Sequence, residues 1–256
     1  MNNSTIKEII QLNKDFYKKT NEGKSFSGTR QSSWMGWKNL ASVIKNNRKS
    51  KLKSVLDVGC GNGRFYNELI KNENWKKLLE DNFTYIGVDS DKDMLEEGRG
   101  KYKKASFIES DVITKPNSNN LINKKCDLVV SFGVSHHVPS EKLRLSWFLW
   151  LANLVDENGI LCITTWLFVN AKQFKTAKEE LKNKNISISK GELDKGDYFL
   201  GWNKQNNLYR YCHSYSDSEL SNIDLELRRL GFILNDTYLS DGKNNNLNKY
   251  LVYKKY

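Results

Sequence analysis

The stretch Val55-Leu-Asp-Val-Gly-Cys-Gly-Asn-Gly63 decides the fold, because an apolar run ends there in three glycines at alternate positions. The apolar run is typical of a buried strand, and the helical spacing of residues 64–71 begins directly after it. Glycine lets the backbone turn sharply and approach a ligand without a side chain in the way. The spacing is G-x-G-x-G and not the G-x-G-x-x-G of dinucleotide-binding loops. The stretch therefore predicts a strand, a tight ligand-binding loop and a helix.

The same alternation of strand and helix continues outward from this loop. The predicted strands are residues 54–58, 84–88, 105–108, 127–132 and 160–166. The predicted helices between them are residues 64–71, 91–99 and 140–155. Short apolar strands that alternate with helices are typical of a parallel sheet with helices on both faces.

The two ends of the chain have different patterns. Residues 1–53 are polar and helical and predict an N-terminal helical cap, with a loop at 22–31. Residues 216–219 have the form of a capping box, and 232–239 and 247–254 predict an antiparallel hairpin. The predicted fold class is α/β: a Rossmann-like, doubly wound sheet of five parallel strands plus a C-terminal antiparallel hairpin. Its domain spans residues 54–256 and carries an insertion at 171–200.

Composition and charge narrow the functional classes. The 256 residues carry 41 Lys and Arg against 30 Asp and Glu, a formal net charge of +11, which favours polyanionic partners such as nucleic acid. Aromatic residues make up 12% of the chain, enough to build a core, and no apolar stretch approaches the ~20 residues that cross a bilayer. The four cysteines have no paired spacing, so we expect no disulfide framework, no zinc site and a reduced, cytoplasmic location.

Three aspartates follow predicted strands where a nucleotide-like cofactor needs them. Asp57 lies two residues before the first glycine and suits an ammonium group, not a pyrophosphate. Asp89 ends the second strand, where a carboxylate can accept both ribose hydroxyls, and Asp111 follows the third strand, beside the expected adenine. Each acid alone is typical of a cap or a turn, but together with the glycine loop they indicate S-adenosylmethionine. The predicted cofactor contacts are Asp57, Gly59, Gly61, Asn62, Gly63, Asp89, Ser90, Asp111, Val112 and Phe132.

With these features the chain resembles the class I S-adenosylmethionine-dependent methyltransferases over residues 50–256. It is also similar to one branch of them, the eukaryotic tRNA wobble-uridine carboxymethyl methyltransferases. The shared motifs are Phe26-Ser-Gly-Thr-Arg30 followed by Trp34, the 57–63 loop, Val134-Ser-His-His137, Gly201-Trp202 and Tyr209-Arg-Tyr-Cys-His213. The chain departs from that pattern at Cys212, where the family usually has tyrosine. It also has Asn248-Lys-Tyr250 for Asn-Trp-Trp and Leu200-Gly-Trp202 for Val-Pro-Trp.

This resemblance implies a substrate, partners and catalytic residues. The substrate is the carboxylate of a carboxymethyl group on the tRNA wobble uridine, and the partners are the tRNA anticodon arm and a small zinc-binding activator protein. The implied catalytic residues are Arg30, His136, His137, Arg210 and His213. An arginine fork can hold a carboxylate with two hydrogen bonds, although Arg30 could instead hold the carboxylate of the cofactor's methionine portion.

The residues leave more than one chemistry open. A carboxylate nucleophile is ionised at pH 7 and needs no base, whereas an amine or hydroxyl needs His136 or His137 to take a proton. Each histidine could instead pack on the sheet or cap the next helix, and the aromatic lining of the site could come from Phe132, Trp166 and Trp202. Two alternatives follow: a small-molecule, quinone-type methyltransferase with a histidine base, or a non-catalytic cofactor-binding subunit of an RNA-modification complex. We expect no bound metal and no membrane partner.

Overall fold

The computed structural model describes residues 1–22, 33–113, 124–168, 193–201 and 208–256. Its strands are β1 (Leu52–Val58), β2 (Leu79–Asp89), β3 (Ser106–Glu109), β4 (Cys126–Ser131), β5 (Val155–Trp166), β6 (Asp197–Gly201), β7 (Tyr209–His213), β8 (Phe232–Ser240) and β9 (Asn248–Lys255). The main sheet has the order β3-β2-β1-β4-β5-β9-β8. The strands from β3 to β5 in this order pair in parallel, whereas β9 runs antiparallel to both β5 and β8.

Helices cover both faces of this sheet. They are α1 (Asn3–Glu22), α2 (Met35–Asn47), α3 (Arg64–Lys71), α4 (Glu73–Leu78), α5 (Lys92–Lys101), α6 (Glu141–Asn153) and α7 (Asp217–Arg229). One buried cluster joins Trp147 of α6 and Ile223 of α7 to the sheet, and the other joins Trp37 of α2 and Phe65 of α3 to its opposite face. Neighbouring residues of β1 alternate between the two clusters, because successive side chains of a strand point to opposite faces.

The predicted fold class is confirmed: a doubly wound parallel sheet that ends in the antiparallel β8–β9 hairpin. The β6–β7 pair was not expected from the sequence, and β6 begins inside the predicted insertion. All five residues of β7 are buried, so the apolar–polar alternation that reveals a half-exposed strand is missing there. The rest of the insertion up to residue 192 lies outside the described residues. In the described part of the chain no helix is both long and apolar enough to span a bilayer.

Candidate active site

The glycine loop follows β1 and turns into α3 as predicted. Gly59, Gly61 and Gly63 all have positive φ angles, of 81°, 53° and 77°. At Gly59 a Cβ atom would lie 2.1 Å from a Val134 methyl carbon, so no other residue fits without displacing the turn after β4. The local sequence thus brings the ends of β1 and β4 into contact at the carboxyl edge of the sheet.

A cleft of about 950 Å³ opens at this edge. It is lined by Ile10, Asn13, Lys14, Tyr17, Lys18, Trp37, Asp57, Gly59, Cys60, Gly61, Asn62, Arg64, Phe65, Asp89, Ser90, Asp91, Lys92, Asp93, Met94, Glu109, Ser110, Asp111, Val112, Ile113, Phe132, Gly133, Val134 and His137. Nine of the ten predicted cofactor contacts are among these residues, and Gly63, which precedes α3, is not. The cleft therefore lies where open α/β sheets bind ligands.

Asp57 lies at the floor of the cleft and is buried. The Tyr85 hydroxyl donates a hydrogen bond to its Oδ2 at 2.7 Å. Burial raises the pKa of Asp57 to about 7, although the hydrogen bond from Tyr85 opposes this rise. A carboxylate in this position gains from a cation beside it, which is what the ammonium group of S-adenosylmethionine offers.

Asp89 and Asp111 line the cleft at the ends of β2 and β3. Asp89 accepts backbone hydrogen bonds from Gly61 at 2.8 Å and Asp91 at 3.0 Å, and burial raises its pKa. Asp111 accepts a hydrogen bond from Lys14 of α1 at 2.8 Å. Asp89 is thus held against the glycine loop, while Asp111 is already paired with a cation from another element.

Helix α1 forms a wall of the cleft, which sequence reasoning missed. The Asn13 side chain pairs with the backbone of Tyr211 on β7: its Oδ1 accepts from the N–H at 2.7 Å and its Nδ2 donates to the carbonyl at 3.3 Å. Lys14 and Tyr17 lie on the same polar side of the helix and also line the cleft. The spacing of these three residues, about one helical turn, was visible in the sequence, but the sequence did not indicate which residues they contact.

His137 lines the cleft from the turn after β4 and has an oxygen near each ring nitrogen. Its Nδ1 is 2.9 Å from the Tyr211 carbonyl oxygen, and its Nε2 is 2.5 Å from the Tyr17 hydroxyl. A carbonyl oxygen only accepts hydrogen bonds, so Nδ1 carries a hydrogen in this arrangement. His136 packs its ring on Trp166 with 4.9 Å between centroids, and it is not among the described residues that line the cleft.

Arg210 and His213 lie behind the cleft on β7. The buried Arg210 guanidinium carbon is 5.3 Å from the Phe16 ring centroid and 5.2 Å from that of Trp166. His213 is fully buried between carboxylates, with Nδ1 2.6 Å from Asp197 and Nε2 2.8 Å from Glu219.

Burial alone would lower the pKa of His213, but the hydrogen bonds to Asp197 and Glu219 outweigh burial and raise it. The same Glu219 carboxylate accepts a hydrogen bond from Arg144 of α6 at 2.6 Å. This network joins β6, β7, α6 and α7, so the position of His213 fits a structural role.

Arg64 is another residue of the cleft that sequence reasoning missed. Its guanidinium carbon lies 5.0 Å from the Trp34 ring and 5.1 Å from the Trp37 ring. Burial lowers its pKa to about 10, so it is still charged at pH 7. Its position in the sequence, directly after the glycine loop, could have indicated that it lies at the cleft. Arg30 and Trp202, both singled out from the sequence, lie outside the described residues.

In the part of the chain that the structure describes, one group of side chains has the spacing of a metal site. One ligand atom from each of His136, His137 and Cys212 lies within 4.8 Å of the others. Burial raises the pKa of Cys212 to about 12, and the Arg210 guanidinium hydrogen-bonds to its sulfur. A protonated thiol next to a permanent cation opposes a divalent ion, so we assign no metal role to this group.

Comparison with known proteins agrees with this architecture. Residues 49–214 match a family model described as a methyltransferase domain, and the chain belongs to that family. It is 35% identical over 121 residues to a protein of Invertebrate iridescent virus 6 that is provisionally named methyltransferase 235L. It is 24% identical over 192 residues to a provisionally named methyltransferase of Encephalitozoon cuniculi. The chain spans 41% of the viral protein's length and 75% of the other's.

Solved structures show the same fold at low sequence identity. An S-adenosylmethionine-dependent methyltransferase of Methanosarcina mazei superposes with a TM-score of 0.61 at 14% identity, covering 83% of this chain and 96% of that one. The 1,6-didemethyltoxoflavin-N1-methyltransferase of Burkholderia thailandensis, solved with S-adenosylhomocysteine, superposes with a TM-score of 0.57 at 14% identity, covering 95% and 87%.

Family, fold and cleft together make the chain an S-adenosylmethionine-dependent methyltransferase. The cleft fits the cofactor because it is lined by the buried carboxylate of Asp57, for the ammonium group, and by the half-buried carboxylate of Asp89, for the ribose. Its volume of about 950 Å³ also lies within the range of small-molecule sites. The predicted class and cofactor are therefore confirmed.

Proposed function

We propose that this methyltransferase acts on the carboxylate of a carboxymethyl group on the wobble uridine of tRNA. The observation that carries the proposal is the buried Arg210 guanidinium, which lies against Trp166 while Trp166 packs on His136. A permanent cation in an aromatic setting, next to the histidine turn that lines the cleft, suits a substrate that presents an anion. The family resemblance of the histidine and Tyr209–His213 motifs supports the same substrate.

Different residues of the cleft would have different roles in such a reaction. When bound, the cofactor supplies an electrophilic methyl group on a sulfonium. Asp57 would hold its ammonium group, and the aromatic side chains of Phe132 and Trp37 line the same cleft and would help to exclude water. The substrate carboxylate is ionised at pH 7, so the protein has only to orient it and restrain its second oxygen. Arg210 is not among the described residues that line the cleft, so it would act on this carboxylate through its positive charge and not through a direct contact.

The rim of the cleft supports a nucleic-acid substrate. Lys14, Lys18 and Lys92 line the cleft and are exposed, and the chain has a net charge of +11. Lysines of this kind bind phosphates and fix the orientation of an RNA without reading its sequence. The proposal includes the tRNA anticodon arm as partner, action in the cytoplasm, and a small zinc-binding protein as activator.

One observation favours a second candidate function. If His137 is neutral, its Nε2 accepts a hydrogen bond from Tyr17, so the pair could take a proton from a hydroxyl or amine nucleophile. A small-molecule methyltransferase with a histidine base would use the same cleft in that way. The two candidates differ in their substrates and in the direction of their pH dependence.

The test is methyl transfer to an anticodon stem-loop RNA that carries 5-carboxymethyluridine at the wobble position. We expect a methyl ester by nucleoside mass spectrometry, and we expect the same ester in cellular tRNA to disappear when the gene is deleted. A stem-loop with plain uridine is the matched control. If the protein binds the cofactor but leaves both RNAs unmodified, even with a zinc-binding activator present, the proposal is wrong. That result would favour the alternative of a non-catalytic cofactor-binding subunit.

A further inference from the structure

We propose that Asp241 is a positioning residue for the cofactor site: it fixes the first turn of α2, and α2 in turn places Trp37 against the cleft. Asp241 follows β8 in the sequence and is not among the described residues that line the cleft. Its role concerns binding of S-adenosylmethionine, so it does not depend on which substrate accepts the methyl group.

Asp241 supplies the cap that α2 lacks. The N-cap residue of α2, Trp34, makes no side-chain hydrogen bond to the helix, and the first turn of α2 carries no acidic residue. Asp241, 205 residues away in the chain, accepts a hydrogen bond on its Oδ1 from the buried Gly36 N–H at 2.9 Å. This N–H is one of the backbone donors that a helix cannot satisfy itself, and a carboxylate beside it also interacts favourably with the helix dipole. The side chain of Asp241 therefore fixes the start of α2.

The carboxylate of Asp241 is itself held in place. Its Oδ2 accepts hydrogen bonds from the Tyr250 hydroxyl at 2.6 Å and from the Asn248 side-chain amide at 2.9 Å, and both donors lie on β9. Asp241 is buried, and a buried carboxylate needs partners of this kind. Its φ angle is 64°, a left-handed conformation that aspartate tolerates better than most residues. An aspartate thus suits both the backbone of this turn and the donors around it.

The contact between α2 and β9 leaves no room for a side chain at residue 36. A Cβ atom on Gly36 would lie 2.2 Å from the ring carbon Cζ of Tyr250. The Gly36 carbonyl accepts a hydrogen bond from the Tyr238 hydroxyl at 2.8 Å, and the Tyr238 and Tyr250 rings stack with centroids 4.8 Å apart. The N–H and the carbonyl of Gly36 are both bound by the β8–β9 hairpin and its turn, so α2 cannot shift without breaking these bonds.

The next residue of α2, Trp37, links this anchor to the cofactor site. Trp37 is buried and lines the cleft, and its ring packs on Phe132 with 5.7 Å between centroids. Phe132 also packs on the Tyr250 ring at 5.9 Å, so β9 reaches the lining of the cleft by a second route. The Arg64 guanidinium carbon lies 5.1 Å from the Trp37 ring. Burial raises the pKa of Asp57, and the charge of Arg64 partly opposes this rise, so Arg64 lies near the carboxyl assigned to the cofactor's ammonium group. A displaced α2 would therefore disturb the site of the cofactor's amino-acid portion.

The experiment compares Asp241→Ala with the wild type, with the Kd for S-adenosylhomocysteine measured by isothermal titration calorimetry. We expect the Kd to rise about 10- to 100-fold, the range for losing a hydrogen bond to a charged group. The affinity for 5′-methylthioadenosine, which lacks the amino-acid portion, should fall much less. Ser216→Ala is the matched control, because it removes the cap of α7, which packs on the opposite face of the sheet. It should lower the free energy of unfolding and leave both affinities unchanged.

Two further measurements separate positioning from general stability. Hydrogen exchange of residues 35–40 should become faster in Asp241→Ala and stay unchanged in Ser216→Ala. Tyr250→Phe keeps the ring and removes one of the three hydrogen bonds to Asp241, so the Kd for S-adenosylhomocysteine should rise about 2- to 10-fold.

The proposal fails if Asp241→Ala loses stability while its Kd for S-adenosylhomocysteine is unchanged, because the residue would then be only structural. An equal loss of affinity for 5′-methylthioadenosine would also overturn it. If Asp241→Ala does not fold, Tyr250→Phe decides, and an unchanged Kd in that variant would refute the proposal. None of these measurements uses methyl transfer, so failure of the proposed substrate would leave this result intact.

Discussion

Cofactor binding should depend on pH through Asp57, because this buried carboxyl has a pKa of about 7 and must be ionised to bind an ammonium group. Lowering the pH below 7 protonates Asp57 in the free protein, and the cofactor then has to displace that proton. The cofactor's own amino group, with a pKa near 7.7–8.0 for a free α-amine, stays charged throughout this range. The affinity should therefore fall as the pH falls.

The size of the effect follows from the fraction of protein in the ionised form. With a pKa of about 7, roughly half of the Asp57 carboxyls are ionised at pH 7 and about one in eleven at pH 6. The apparent Kd should therefore be about 5-fold weaker at pH 6 than at pH 7, and about 16-fold weaker at pH 5.5. Binding at pH 6 should release about 0.9 proton per cofactor.

Isothermal titration calorimetry in buffers of different ionisation enthalpy measures both the affinity and the released proton. The Tyr85→Phe variant removes a hydrogen bond that lowers the pKa of Asp57, so the loss of affinity should begin at higher pH. A Kd that is constant between pH 7 and 5.5 would refute the reasoning. An unchanged midpoint in Tyr85→Phe would assign the titration to another acid, such as Asp89, whose pKa burial also raises.

Three further predictions concern the scaffold of the site. Gly59→Ala should abolish cofactor binding in calorimetry, because its Cβ would lie 2.1 Å from the nearest side-chain carbon, whereas Gly100→Ala, with nothing within 4 Å, should not. Asn13→Ala should lower the free energy of unfolding in urea by about 1–3 kcal/mol, because it leaves a buried backbone N–H of β7 without its partner, while Gln11→Ala on the exposed side of α1 should not. The pKa of His213 is raised in the folded protein, so the protonated histidine stabilises the fold. This stabilisation is complete at a pH below the unfolded pKa of about 6.5, and it is lost as the pH rises through the folded pKa. In thermal unfolding, the fall of Tm with rising pH should be smaller in His213→Asn; an equal slope in both proteins would contradict this role.

The parts of the fold that the sequence predicted are those governed by local patterns. Three glycines after an apolar run specify the turn from β1 into α3, and short apolar runs mark the parallel strands wherever they are buried on both faces. Ser216 was expected to cap α7, and its hydroxyl does accept a hydrogen bond from the Glu219 N–H. The Glu219 side chain does not complete that capping box. It binds Arg144 and His213 instead, a choice that depends on residues far away in the chain.

The parts of the site that the sequence did not predict depend on polar contacts between distant segments, and such contacts leave no periodic pattern in the sequence. Asn13 and Tyr211 are 198 residues apart, and Lys14 and Asp111 are 97 apart. A polar face on α1 is equally consistent with a solvated helix, so the sequence could not assign this helix to the cleft. The same reasoning explains His213: the motif marked it as special, but only the fold shows that Asp197 and Glu219 surround it.

The distribution of charge along the cleft supports the proposed reaction more directly than any single residue does. The acids Asp57 and Asp89 line the cleft beside the glycine loop, and His137 lines it from the turn after β4, while the buried Arg210 lies against Trp166, which packs on His136 of the same turn. A cationic methyl donor and an anionic acceptor would each face the opposite sign of charge, and the pair would approach neutrality as the methyl group moves between them. Fixed charges that match both reactants need no rearrangement during transfer. An uncharged amine or phenol gains nothing from the positive charge of Arg210, and for this reason we propose the carboxylate ahead of the proton-bearing nucleophiles.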